Sequence, residues 1–140
     1  MCAPPFEILE HPADIGFRAW GSTVAELFEN AALALISIAG EVDPVEPVRE
    51  YPLEAAGTDV ESRLVAWLSE VLYWVDGRHI RFRRFRVTAM DGLRVVAVGL
   101  GEPWDGSRHH ARLIVKAVTW HQLKVAPASA GWMAEVYLDV

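Results

Sequence analysis

The hydrophobic period of this 140-residue chain changes near residue 78, and that change limits what the chain can fold into. Before it, two stretches repeat apolar residues at intervals of three and four, as one face of a helix requires. After it the helical repeat is gone and apolar residues mostly alternate, as in half-buried strands. Helices followed by a run of strands predict an α+β fold, with two helices packed on a mainly antiparallel sheet of six or more strands. The length suits one domain over residues 1–140, because two cores would each be marginal.

The first helical stretch sets Val24, Leu27, Phe28, Ala31, Ala32, Leu35, Ile38 and Ala39 on one face and stops at Gly40. Glu26 stands three residues after Thr23, the spacing of a capping box that satisfies first-turn amides. The second stretch places Val60, Leu64, Val65, Leu68, Val71, Leu72 and Val75 together, with Thr58 and Glu61 as its capping pair and Gly77 as its end. Between them, residues 41–57 hold Pro44, Pro47 and Pro52 among acids and valines. That suits a loop followed by an edge strand, where a missing amide donor is tolerated.

Phe6, Ile8, Ile15, Phe17 and Ala19 alternate around His11–Gly16 and predict two short strands. Further strands are expected at 80–90, 93–100, 112–119, 122–126 and 133–140. Asp91-Gly92 joins the first two of these as a hairpin whose turn residues tolerate positive φ. Within 80–90, Ile80 and Phe82 share one parity and Phe85 and Val87 the other, which predicts a bulge near Arg83 and Arg84.

Charge narrows the function classes. The net charge is −6, against a footprint spread over nucleic-acid phosphates, but its distribution is uneven. Residues 1–76 carry 14 acids and 3 bases, whereas residues 77–140 carry 5 acids and 10 bases. One half attracts cations and the other anions. No apolar run reaches the roughly 20 residues that cross a bilayer, no signal segment opens the chain, and the single cysteine, Cys2, has no internal partner. A cytoplasmic location is expected.

No glycine loop of the phosphate-cradling kind and no nucleophile elbow is present. His11-Pro12-Ala13-Asp14 forms a stiff turn with an imidazole and a carboxylate three apart; Asp14 either caps that turn or serves as a ligand. At the other end, Asp139 precedes Val140 and its terminal carboxylate, oxygen donors that suit a hard divalent cation if they converge with Asp14, or a solvated terminus if they do not. Arg81, Arg83 and Arg84 lie among aromatics, a pattern shared by RNA-binding strands and by charge-protected edge strands. His109-His110 reads as surface, and Lys116 either pairs with an acid such as Glu102 or is solvated.

Six segments together resemble the archease family: His11-Pro12-Ala13-Asp14-Ile15-Gly16, Glu26–Ala32, Trp67–Tyr73, Gly101-Glu102, Lys116–His121 and Leu138-Asp139-Val140. They fall in the family's order from Phe6 to Val140. The family usually has Thr where this chain has Pro12 and Tyr where it has Trp120. Pro12 removes a hydroxyl and an amide donor from the turn.

The resemblance implies no free-standing enzyme, but an accessory protein that activates an RtcB-type RNA ligase in tRNA splicing and RNA repair. Such a protein promotes guanylylation of the ligase and its multiple turnover, and meets RNA only through the ligase. It also implies a divalent metal ion (calcium, magnesium or manganese) with Asp14, Asp139 and Val140 as its ligands. Two other readings compete: a metal-dependent phosphoester hydrolase using Asp14 and His11, and an RNA-binding chaperone using Arg81, Arg83 and Arg84.

Overall fold

The computed structural model describes residues 5–10 and 15–140. Eight strands and two helices follow one another as β1 (Phe6–Glu10), β2 (Ile15–Gly21), α1 (Val24–Ala39), β3 (Arg49–Ala56), α2 (Val60–Leu72), β4 (Ile80–Met90), β5 (Arg94–Pro103), β6 (Ala117–Val118), β7 (Lys124–Ala128) and β8 (Gly131–Asp139). All pairings are antiparallel, as expected, but the strands divide between two sheets. One is ordered β1-β2-β8, with β6 and β7 sharing the far edge of β8; the other is ordered β3-β5-β4. Each helix touches both sheets: α1 packs on β2, β8 and β4, and α2 on β3, β5, β6 and β7.

Local chemistry explains the helices. The Thr23 hydroxyl accepts the Glu26 amide at 3.1 Å, while the Glu26 carboxylate returns to the Ser22 amide at 3.0 Å instead of to Thr23. The second cap differs from expectation by one residue. Asp59, not Thr58, accepts the Ser62 amide at 2.7 Å, and the Ser62 hydroxyl faces the Asp59 amide at 3.3 Å, because a carboxylate is the stronger acceptor here. Helix α2 ends in a π-helical turn at Tyr73–Gly77. Trp67, absent from the apolar face read from spacing, is fully buried and donates its indole N–H to the Phe28 carbonyl at 2.9 Å, tying α2 to α1.

Strand β3 lies at an edge, where Pro52 costs no ladder bond. The bulge in β4 falls between Phe82 and Arg84, so Phe82 and Phe85 both reach the core. β4 and β5 pair as the hairpin expected, but the turn itself is of another kind. Neither Asp91 nor Gly92 has positive φ; the Asp91 carboxylate instead accepts the Leu93 and Arg94 amides, each at 2.8 Å. The strand expected at 112–119 shrinks to Ala117–Val118. Val115 and Val118, three apart, are the residues of that stretch that bury, and Ile114 is 73% exposed, so a two-residue period does not operate there. No described helix is long and apolar enough to cross a membrane.

Candidate functional site

Strands β2 and β8 bring distant parts of the sequence together. Ile15 pairs with Leu138, and Gly16 pairs with Tyr137 so closely that a Cβ on Gly16 would strike the Val136 carbonyl and the Tyr137 ring. Asp139, the residue after Leu138, therefore stands at the end of the sheet where β2 begins. Its backbone is held on the opposite edge: the Lys116 amide donates to the Asp139 carbonyl at 2.7 Å, and Ala117 pairs with it. The Asp139 side chain is exposed and bonds no described group, and Val140 beside it is 42% exposed. Asp14, with His11 and Pro12, lies outside the described residues, as does Cys2. Among the described residues no three His, Cys, Asp or Glu side chains gather as a metal set.

A second polar cluster was not anticipated. His109 is 3% exposed, not a surface residue, and its Nε2 lies 2.9 Å from Glu102 Oε2. The Asp105 amide donates to His109 Nδ1 at 2.9 Å, so the imidazole proton sits on Nε2 and points at Glu102. Arg108 grips the same carboxylate through both terminal nitrogens, at 2.6 and 3.1 Å, and the Glu46 amide adds a bond at 2.8 Å. Chiefly through Arg108, and against the opposing effect of burial, these donors bring Glu102 down to about 2 from an ordinary 4.5. Lys116 is exposed and takes no part. The cluster clamps the loops at 42–48 and 104–112 onto the end of β5. Its only sequence signal was the mixture of Glu102, Asp105, Arg108 and His109 within one short stretch.

The arginines of β4, with Arg78 just before it, form a third feature. Arg81 has its guanidinium 4.6 Å above the Trp104 ring, and Arg78 covers Trp74 at 4.0 Å. Arg83 is the extra residue of the bulge, and Arg84 next to it is exposed.

The family described as "Archease protein family (MTH1598/TM1083)" matches residues 6–140 of the chain. Protein archease of Methanosarcina acetivorans is 40% identical over 141 residues, which cover 96% of this chain and 95% of that protein. The solution structure of Methanobacterium thermoautotrophicum protein 1598 is 33% identical, covers 97% of this chain and 99% of its own, and superposes with a TM-score of 0.82. The crystal structure described as an archease, possible chaperone (TM1083), from Thermotoga maritima covers 100% of this chain and 98% of its own, with a TM-score of 0.61 at 20% identity, a likeness of fold.

Proposed function

We propose that this chain, which belongs to the archease family, is a cytoplasmic accessory protein that activates an RtcB-type RNA ligase. The ligase joins the RNA, and the accessory chain promotes its guanylylation and repeated turnover. The observation that carries this reading is family membership over nearly the whole chain, together with the pairing of Ile15 with Leu138 that holds Asp139 at the start of β2.

In this reading Asp14, Asp139 and the oxygens of Val140 hold a divalent cation, whether calcium, magnesium or manganese. The donor set fits: oxygen donors suit a hard cation, and the Asp139 carboxylate is exposed and bonds no other described side chain. A divalent ion supplies positive charge against phosphate oxygens in a guanylyl transfer. The protein's own part is positional. Lys116 and Ala117 hold the Asp139 backbone from one edge of β8, and β2 pairs with Leu138 just before it on the other, so its carboxylate is presented from a sheet end and not from a free tail.

The uneven charge favours a second reading. The acidic half docks on a basic ligase surface and reshapes its active site, with the metal serving only to hold the turn against β8. The experiment is guanylylation and multiple-turnover joining by a cognate ligase, with and without this protein and its Asp14→Ala and Asp139→Ala variants, alongside metal affinity of each. Parallel loss of metal affinity and stimulation supports the metal-centred reading. Stimulation that survives loss of metal supports docking alone, and no stimulation by the folded protein sinks both.

A further inference from the structure

The first half of β4, with Arg78 just ahead of it, carries positive charge that no described carboxylate pairs. Among the described residues, Arg78, Arg81, Arg83 and Arg84 form no ion pair, although acids outnumber bases in this chain by 19 to 13. The contrast with their neighbours is sharp. Arg86 and Arg94 reach Glu50 and Glu54 across the sheet, and Arg108 is bound to Glu102 and Asp105. Glu102 stands directly opposite Arg81 in the β4–β5 ladder, yet its carboxylate is committed to Arg108 and His109. Arg81 has an indole on one face, the attraction of Asp76 from outside ion-pair distance, and a buried Nε that bonds nothing described. A half-buried guanidinium whose buried Nε has no described acceptor is an incomplete arrangement, since buried donors are ordinarily paired.

The backbone arranges these charges in a row. Two core residues three apart, Phe82 and Phe85, both face inward because the bulge absorbs Arg83. Arg84 consequently pairs with Leu100 on the same outward face on which Arg81 pairs with Glu102. Their partners Glu102 and Leu100 are alternate residues of β5, about 6.6 Å apart, which sets Arg81 and Arg84 at a step comparable to the phosphate repeat of an extended single strand. Guanidinium forks match phosphate oxygens, and stacking on Trp74 and Trp104 fixes the planes of the two at the end of the row. A line of cations suits a linear polyanion better than the rounded surface of an acidic protein.

We infer that the β4 row of Arg81, Arg83 and Arg84, extended by Arg78, binds the phosphate backbone of single-stranded RNA. This adds a direct RNA contact, on the opposite sheet from Asp139, to the ligase-mediated one.

The test is fluorescence anisotropy of a labelled oligouridylate of roughly 12 nucleotides with the full-length protein across a salt series. The wild-type chain binds at low salt with a salt slope near −0.7 per phosphate contact. Arg83→Glu/Arg84→Glu weakens binding by at least about tenfold and reduces the slope magnitude by roughly 1.4. Lys124→Glu, an exposed cation on the other sheet, leaves affinity unchanged. Circular dichroism establishes that both variants fold. Absence of binding by the wild type, equal binding by the doubly reversed variant, or displacement by polyaspartate as readily as by unlabelled RNA would each overturn the inference. Because ligase guanylylation is scored without RNA, failure here is separable from failure of the activator reading.

Discussion

Glu102 and His109, seven residues apart, meet at 2.9 Å in the interior, with the imidazole proton on the nitrogen that faces the carboxylate. The pair joins the end of β5 to the loop that follows it. Arg108 and the Glu46 amide complete the carboxylate's bonds.

That arrangement has a pH signature. Glu102 is held at about 2, below its ordinary 4.5, so its ionised form is favoured by the fold. The contribution to stability is full above about pH 4.5 and is lost as pH falls toward 2. Glu102→Gln is expected to cost on the order of 1–3 kcal/mol near neutral pH. Urea unfolding at pH 6, 4 and 2.5 would show the gap between wild type and variant closing in acid; a gap independent of pH would contradict the clamp.

Trp67 makes the contact between the helices. Trp67→Phe keeps an aromatic ring but removes the bond to the Phe28 carbonyl and leaves part of a buried site unfilled. A loss of about 2 kcal/mol is expected. It should appear as a lower denaturant midpoint with an unchanged slope.

Gly101 and Gly92 should behave oppositely. A Cβ on Gly101 would land on the Arg81 carbonyl, inside the β4–β5 ladder, whereas nothing lies within 4 Å of one on Gly92. Gly101→Ala is expected to destabilise by more than about 2 kcal/mol and Gly92→Ala by less than about 0.5. Comparable melting temperatures for the two variants would refute the close strand approach.

Asp139 offers a test free of the ligase. If it holds a cation with Asp14, Asp139→Ala should weaken calcium, magnesium or manganese binding at least about tenfold by calorimetry on the isolated chain. The fold should be little affected, because the side chain is exposed and makes no described bond. Unaltered metal affinity would remove Asp139 from the ligand set.

The local features were legible in the sequence because their causes are local. Apolar spacing defined α1 and the body of α2, Pro52 marked an edge, and the conflicting parities of Phe82 and Phe85 required the bulge at Arg83 and Arg84. Family motifs named Asp14 and Asp139, and the strand expected at 133–140 placed Asp139 near its end, after Val136, Tyr137 and Leu138. What brings Asp139 to the start of β2 is the pairing of residues more than 120 positions apart, which no local pattern encodes. The division into two sheets, the burial of His109 and the shortening of β6 to two residues likewise depend on partners supplied from elsewhere. Periodicity says which face of a segment is apolar. Only the packed chain decides what covers that face, which carboxylate each cation finds, and which arginines are left without one.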